Sequence, residues 1–200
     1  STGETGFRGG PFAAVALRRT QGFNEGDFTA EGFFRFAQKD WLDTAGTFAR
    51  GRPRLTLMSR RIEGDSAKIP WYVQLSGVTS AKYSLAIKAY DTAKAELVSA
   101  STGQGNFLND GKWHHVAVTY SDTDWRFVLY YDYASVATNQ LSASLYGVDV
   151  SVLCLGNGTS INDNTFHGWY DEFRYTRELL GPESFIRLDG EPVGLLMLVR

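Results

Sequence analysis

The sequence predicts an all-β protein, a sandwich of two antiparallel sheets, from three observations. Apolar and polar residues alternate along most of the 200-residue chain, which is the period of a strand. Aromatic residues, which favour strands, are frequent, with 13 Phe, 10 Tyr and 5 Trp. The 21 glycines suit the turns between strands. We therefore expect a single domain over residues 1–200 with little helix.

Five strands are predicted in the first half of the chain. The first is a short apolar run, the second is rich in phenylalanine, and the third alternates leucine with threonine. The fourth opens on tryptophan and ends at the turn signal Ser76-Gly77, and the fifth places Tyr83, Leu85 and Ile87 on one face. Their predicted bounds are 12–17, 28–36, 54–59, 71–75 and 83–90.

Five more strands are predicted in the second half. Asp110-Gly111 marks a tight turn before the first, and the polar residues 121–124 join it to the second as a hairpin. A loop rich in Asn and Gly precedes the fourth, and Pro182 opens a short helix before the last. The predicted bounds are 113–120, 126–133, 150–155, 166–175 and 195–199.

Composition and charge exclude several classes of protein. The net charge of −2 argues against a nucleic-acid partner, because duplex binding shows as a basic stripe. The longest apolar stretch, 193–199, is far shorter than the roughly 20 residues that a membrane span needs, so no membrane insertion is expected. The single cysteine, Cys154, excludes an internal disulfide and a thiolate zinc site. The opening residues lack a signal-peptide pattern, so we expect either a piece of a parent chain with other domains or a processed precursor.

The strand at 113–120 belongs to a longer motif, DGKWHHVAVTY at 110–120. It resembles the DGxWHHVAxTY strand of laminin-G-like domains in the concanavalin A-like lectin/glucanase superfamily. Further segments resemble the family's motifs in the same order, namely FTAEGF (28–33), LMSR (57–60), LYYDY (129–133), LCLG (153–156) and FHGWYDEFRYTREL (166–179). The resemblance covers most of the chain and implies a jelly-roll β-sandwich.

Three positions depart from the family pattern. Asp132-Tyr133 stands where the family has Asp-Gly, so we expect a hairpin turn of different geometry. Tyr170 replaces the usual Ile, and Gly32 stands where the family often has Ala. We interpret all three as drift within the same fold.

No catalytic residue is predicted. Glycosidases of this superfamily carry Glu-x-Asp-x-x-Glu on one strand, but the nearest segment here, Glu63-Gly64-Asp65-Ser66-Ala67-Lys68, has lysine at the last position. Neighbours on a strand face opposite ways, so neither Asp171 and Glu172 nor His114 and His115 can act on one bond or one metal together. By the same alternation His114 faces the core with Val116. We expect each histidine to be a core or half-buried residue bound to backbone groups.

Glycan binding needs exposed aromatic rings flanked by polar groups. Trp41 and Trp125 lie among polar turn residues, where a Trp is either an exposed platform or a lid on the edge of the core, and Trp71 opens a strand. These three are the predicted platforms. Arg52 and Arg60 belong to a basic cluster that suits an acidic polysaccharide, although a solvated loop explains the cluster as well. By contrast, Trp113 and Trp169 are expected to pack in the core.

The resemblance also raises the question of calcium, because many related jelly rolls hold Ca²⁺ at a sheet rim. Asp163 and Asp171 are the predicted ligands, although Asn, Asp and Gly populate any tight loop. The predicted function is a non-catalytic glycan-binding module of a larger secreted or cell-surface protein that acts on polysaccharide. Two alternatives stay open, a glycoside hydrolase or polysaccharide lyase of the same fold and a structural or protein-adhesion domain.

Overall fold

The computed structural model describes residues 7–8, 15–19, 26–37, 54–62, 70–79, 82–90, 96–102, 110–143, 145, 151–156, 168–188 and 197–199. Within them lie thirteen strands and one turn of 3-10 helix, Pro182–Ser184. The strands are β1 (Phe7–Arg8), β2 (Val15–Arg19), β3 (Phe28–Ala37), β4 (Arg54–Ile62), β5 (Trp71–Thr79), β6 (Lys82–Tyr90), β7 (Glu96–Ser101), β8 (Asp110–Ser121), β9 (Arg126–Tyr131), β10 (Ala134–Gln140), β11 (Ser151–Leu155), β12 (Trp169–Thr176) and β13 (Met197–Val199). In this described part of the chain, no helix has the length and apolarity to cross a membrane.

The strands form two sheets, which confirms the predicted all-β sandwich. The larger sheet has the order β1-β12-β3-β8-β9-β10, with β13 beside β12. The smaller sheet has the order β2-β11-β4-β5-β6-β7. The pairings within both sheets are antiparallel except that between β12 and β13, which is parallel.

The hydrophobic core lies between the two sheets and is built from alternate residues of each strand. Phe28 of β3 stacks on Trp71 of β5, with ring centroids 5.2 Å apart, and on Tyr175 of β12 at 5.5 Å. These rings are fully buried, and each buried aromatic side chain contributes about 1.5–3 kcal/mol. The aromatic residues counted in the sequence therefore supply much of this core.

Two predicted boundaries differ from the structure for local reasons. β5 continues through Ser76-Gly77 to Thr79, because an irregularity in its pairing with β6 between Gly77 and Thr79 absorbs the glycine. Asp110-Gly111 begins β8 instead of preceding it, with Gly111 at φ 77°. Three strands were not predicted at all, β1, β7 and the largely polar β10.

Packing explains why glycine stands at position 32, where the resemblance leads us to expect alanine. It lies opposite Val116, and a Cβ built there would lie 3.2 Å from Cδ2 of Phe173. Phe173 reaches this position because β12 is irregular between Asp171 and Arg174, with Glu172 at φ 43°. A bulge of this kind adds one residue and shifts the alternation, so the side chains beyond it exchange faces.

The face of the larger sheet that points away from the core, here called the outer face, is partly covered by the chain itself. Residues 177–188, here called the strap, follow β12 and cross this face. Phe185 of the strap packs on His115, with centroids 5.3 Å apart, and on Tyr130 at 5.0 Å. The strap thus buries residues that alternation alone would leave exposed.

Candidate ligand-binding site

An open cavity of about 230 Å³ lies on the outer face, between the β8–β9 hairpin and the strap. Its floor consists of alternate residues of β8 and β9, and its wall is the first part of the strap. The floor residues are Thr119, Ser121, Arg126, Val128 and Tyr130, and the wall residues are Leu179, Leu180 and Gly181.

The position of the wall is set by a buried threonine of β3. Thr29 Oγ1 donates a hydrogen bond to the carbonyl oxygen of Glu178 at 2.7 Å and accepts one from the amide of Leu180 at 3.0 Å. A single hydroxyl therefore satisfies two backbone groups of the strap. This arrangement holds the strap against the sheet at the edge of the cavity.

The cavity lining combines polar and apolar groups. The floor offers two hydroxyls, a guanidinium and a phenol, while Val128, Leu179 and Leu180 offer apolar surface. Sugars present hydroxyl groups together with apolar C–H patches, so this mixture suits a sugar ring. Among the described residues that line the cavity, none is acidic.

Of the cavity-lining residues that the structure describes, Arg126 is the one that carries a charge. Its NH2 atom lies 3.5 Å from Oδ2 of Asp124, and about half of each side chain is exposed. An exposed ion pair of this kind contributes only about 0–1 kcal/mol. A ligand that bonds the guanidinium in place of Asp124 therefore loses little free energy by breaking this ion pair.

Trp125 precedes Arg126 at the tip of the same hairpin and is 40% exposed. Its backbone lies in the left-handed region at φ 50°, and its carbonyl oxygen accepts a hydrogen bond from the amide of Leu141 at 2.7 Å. The exposed ring beside the cavity suits the predicted glycan platform. Its role in binding stays a prediction.

Trp71 and Arg60 are not placed where a ligand could reach them. Trp71 is fully buried against Phe28, so the platform predicted for it has no exposed ring face. Arg60 is 1% exposed, and the sheet register puts it opposite Trp71 and Leu153, both of which lie in the core. The alternation of β4 and β5 turns both side chains inward.

Several predicted residues lie outside the described residues. These are Trp41, Arg52, Asp163 and the segment from Glu63 to Lys68. Asp171 is described and is 1% exposed, and its Oδ1 accepts a hydrogen bond from the amide of Glu172 at 2.9 Å. Among the described residues no group of three or more His, Cys, Asp or Glu side chains is arranged to hold a metal ion. Asp171 alone does not make a calcium site, and calcium binding stays a prediction.

The two adjacent histidines face opposite ways, as expected, but their partners are carboxylates instead of backbone groups. His115 on the outer face is fully buried, and its Nε2 donates to Oε2 of Glu31 at 2.8 Å. Glu31 Oε1 accepts from Nε of Arg174 at 2.6 Å and from its NH2 atom. Glu31 Oε2 also accepts from the amide of Ile186, which ties this network to the strap.

His114 lies between two carboxylates near the core side of the same sheet. Its Nδ1 is 2.8 Å from Oδ2 of Asp132 and its Nε2 is 2.9 Å from Oδ1 of Asp110. Carboxylates only accept hydrogen bonds, so both contacts are hydrogen bonds when the ring carries both protons. Burial acts to lower the pKa of His114, but the bonds and charges of Asp132 and Asp110 outweigh it and raise that pKa.

The Asp132-Tyr133 turn keeps the geometry that an Asp-Gly turn would adopt, contrary to the expectation from sequence. Asp132 has φ 46° and Tyr133 has φ 69°, and positive values at both central residues are those of a type I′ turn. Tertiary contacts hold Tyr133 in this conformation. Its ring stacks on His115 with centroids 4.6 Å apart, and the Arg187 guanidinium lies 3.6 Å from its centroid.

Trp113 and Trp169 are half-buried residues of the outer face, so the expectation that they pack in the core is wrong. The Arg35 guanidinium carbon lies 4.3 Å from the ring centroid of Trp169 and 5.4 Å from that of Trp113. A signal for this was present in the sequence. Trp113 is three positions before the core residue Val116, and residues an odd number of positions apart on a strand face opposite ways. Trp113 therefore lies on the same face as His115.

Comparison with known proteins places this geometry in a wider group. A family model, described as the concanavalin A-like lectin/glucanases superfamily, matches residues 9–184. None of the curated proteins matches the chain significantly.

Three solved structures illustrate the likeness of fold. The CBM40 of the Ruminococcus gnavus IT-sialidase, bound to α2,3-sialyllactose, is 10% identical with a TM-score of 0.59, covering 90% of this chain and 94% of that one. A native heptameric SAP-like pentraxin from Limulus polyphemus is 14% identical with a TM-score of 0.56, covering 84% and 71%. Domains LG4-5 of the mouse laminin α1 chain are 20% identical with a TM-score of 0.54, covering 96% of this chain and 46% of that one.

Proposed function

The chain belongs to the concanavalin A-like lectin/glucanases superfamily, and on that premise we propose that it is a non-catalytic carbohydrate-binding module. The glycan occupies the cavity between the β8–β9 hairpin and the strap. The observation that carries the proposal is the described lining of that cavity, where hydroxyls, the guanidinium of Arg126 and apolar side chains face one open space and none of the described lining residues is acidic.

In the proposed mode of binding, the sugar lies on the β8–β9 floor with its edge against the strap. Thr119 and Ser121 bond its hydroxyl groups, and Arg126 exchanges its contact with Asp124 for an oxygen of the ligand. Trp125 at the hairpin tip contacts the next sugar unit through its exposed ring. A volume of about 230 Å³ suits one small sugar unit, since pockets for larger organic ligands start at roughly 300 Å³.

Two of the structural neighbours support this proposal by what they bind or contain. The Ruminococcus gnavus CBM40 is a module of a sialidase and is described in complex with sialyllactose, and this chain covers 94% of it. The binding domain of botulinum neurotoxin DC is described in complex with SialylT, and is 11% identical with a TM-score of 0.53, covering 85% of this chain and 37% of that one. We extend the proposal to a secreted or cell-surface protein in which this module accompanies other domains.

The test is a broad glycan array, followed by titration of the best hit with purified protein. We expect binding by the wild type, a loss of about tenfold or more in Arg126→Gln, and a similar or smaller loss in Trp125→Ala. Lys112→Gln is the matched control, because Lys112 is 79% exposed and lies near the opposite end of β8. It should bind like the wild type.

The outcome also separates the alternatives. Reducing-end and unsaturated-product assays on any hit should show no turnover. Turnover would replace the proposal by a hydrolase or lyase of the same fold. Silence across the array, with a protein partner recovered instead, would favour a structural or adhesion domain.

A further inference from the structure

We infer that the glycan in the cavity is an uncharged sugar, bound through two neighbouring hydroxyl groups by Asp124 and Arg126. This identity of the ligand rests on the function proposed above, since it concerns the same cavity. Two features of the cavity point to it, namely the charges beside it and the hydrogen bonds that these two side chains can make.

Asp124 is held beside the cavity by bonds within its own turn. Its amide donates a hydrogen bond to Oγ of Ser121 at 3.3 Å, and Ser121 Oγ donates to Oδ2 of Asp124 at 3.4 Å. Ser121 lines the cavity, as does Arg126, whose NH2 atom is 3.5 Å from the same Oδ2. The Asp124 carboxylate therefore stays beside the cavity when Arg126 turns to a ligand.

The two side chains offer opposite hydrogen-bonding groups. A guanidinium only donates hydrogen bonds, and a carboxylate only accepts them. A sugar hydroxyl does both, so one hydroxyl can accept from Arg126 while its neighbour donates to Asp124. An uncharged sugar thereby replaces the broken ion pair at both of its ends.

A charged sugar satisfies only one end of this pair. A carboxylate or sulfate group accepts from Arg126 but cannot donate to Asp124, and it brings a second negative charge close to that carboxylate. The ammonium group of an amino sugar has the converse defect, because it bonds Asp124 and leaves Arg126 without an acceptor. The site therefore favours hydroxyl groups over either kind of charge.

The strap adds no net charge to the site. Its charged residues are two arginines and two glutamates, namely Arg177, Glu178, Glu183 and Arg187. The Glu183 carboxylate lies against Gly181 of the cavity wall, where a Cβ built on the glycine would collide with it. Arg187 donates to the carbonyl oxygen of Pro182 at 2.7 Å, and its guanidinium lies on Tyr133. The described charges around the cavity thus give an anionic sugar no excess of positive charge.

The test is a binding assay with matched pairs of oligosaccharides that share a ring and differ in charge. The pairs are galactose with galacturonate, glucose with glucuronate, and N-acetylglucosamine with glucosamine oligomers. Binding in the cavity is identified by its loss in Arg126→Gln. We expect such binding for at least one uncharged member, about fivefold or more tighter than for its charged partner.

Asp124→Asn tests the part played by the carboxylate. The amide of asparagine carries no charge and donates as well as accepts, so the uncharged sugar should bind about threefold more weakly and the anionic partner more tightly. The affinity ratio of the pair should therefore fall towards one. Lys112→Gln controls for the overall charge, because Lys112 is 79% exposed at the other end of β8. It should leave the ratio within about twofold of that of the wild type.

A salt titration of the wild type needs no variant and covers the case in which Asp124→Asn fails to fold. Raising NaCl from about 0.02 M to about 0.5 M should lower the preference for the uncharged member over its anionic partner, because salt screens the repulsion from Asp124. The inference is overturned, and the proposed function kept, by Arg126-dependent binding that is as tight or tighter for a charged member, or by a ratio that neither Asp124→Asn nor salt changes. Binding of no probe, or binding that does not depend on Arg126, contradicts both.

Discussion

His115 Nε2 lies 2.8 Å from Oε2 of Glu31, and both side chains are fully buried. The contact joins β8 to β3 across the outer face of the larger sheet, and the same carboxylate holds Arg174 and the amide of Ile186. Glu31 of β3 therefore bonds β8 through His115, β12 through Arg174 and the strap through Ile186. Four of the following predictions concern this outer face and its margin.

Replacing Glu31 with glutamine should destabilise the fold by about 3 kcal/mol. The change leaves the Arg174 guanidinium, which is 19% exposed, without its charge partner and replaces an acceptor by an amide. Urea unfolding measures the effect. The control is Glu183→Gln, an exposed glutamate of the strap, which should change stability by less than about 0.5 kcal/mol. Equal stability of the two variants would contradict the role assigned to Glu31.

Thr29→Val should release the strap with little change in the volume of the side chain. The variant loses the hydroxyl that serves both Glu178 and Leu180, which leaves two backbone groups unpaired and costs about 1–3 kcal/mol. The amide of Leu180 should then exchange its hydrogen faster, as measured by NMR. Thr138→Val on the exposed face of β10 is the matched control. Unchanged protection of Leu180 would show that Thr29 does not hold the strap.

His114 should make stability depend on pH in a definite direction. Its pKa in the folded protein is raised above the ordinary value of 6.5, so its stabilising contribution is complete below about pH 6.5 and is lost as the pH rises through the raised pKa. Asp110 acts in the opposite sense. Burial opposes the shift, but the Lys112 amide and His114 lower its pKa, so its contribution is lost as the pH falls below its ordinary 3.8.

The measurement for His114 compares the urea midpoints of wild type and His114→Gln from about pH 5 to about pH 9. The stability difference between the two proteins should shrink as the pH rises. A difference that is constant over this range would mean that His114 titrates alike in the folded and unfolded chains.

Tyr133→Gly and Tyr133→Ala together separate strain from packing in the type I′ turn. Glycine removes the cost of the left-handed backbone, about 1–2 kcal/mol, but loses the ring contacts with His115 and Arg187, worth roughly 1–3 kcal/mol together. We expect Tyr133→Gly to be slightly less stable than wild type. Alanine loses the contacts and keeps the strain, so Tyr133→Ala should be about 1 kcal/mol less stable than Tyr133→Gly. Thermal unfolding of the two variants measures this difference in stability. Equal stability of the two variants would show that the backbone of Tyr133 at φ 69° is not strained.

Alternation and the DGKWHHVAVTY motif were sufficient to predict the sandwich and most of its strands. Alternation also puts His115 on the face away from the core, because period 2 fixes the face of every residue in a regular strand. Applied to Trp113, the same rule contradicts the expectation that this residue packs in the core. Alternation fails where a strand is irregular. Glu172 at φ 43° shifts the pattern of β12, so no simple count from Asp171 predicts that Phe173 lies in the core.

Burial on the outer face could not be predicted from β8 and β3 alone. By alternation Glu31 and His115 belong to the face away from the core, and their full burial depends on the strap, which comes much later in the chain. Phe185 of the strap packs on His115, and the amide of Ile186 bonds Glu31. The cavity has the same origin, since its floor belongs to β8 and β9 and its wall to residues 179–181. The position of Trp71 at the start of a strand is ambiguous in the sequence, because its place in the core depends on Phe28 of the other sheet.

The central claim, that a glycan occupies the cavity on the outer face, is tested most directly by an NMR titration with the best hit of the glycan array. Backbone amides of Arg126, Val128, Tyr130 and Gly181 should shift with one common dissociation constant, and that constant should rise about tenfold or more in Arg126→Gln. Shifts confined to the smaller sheet, or a dissociation constant unchanged in Arg126→Gln, would contradict the claim.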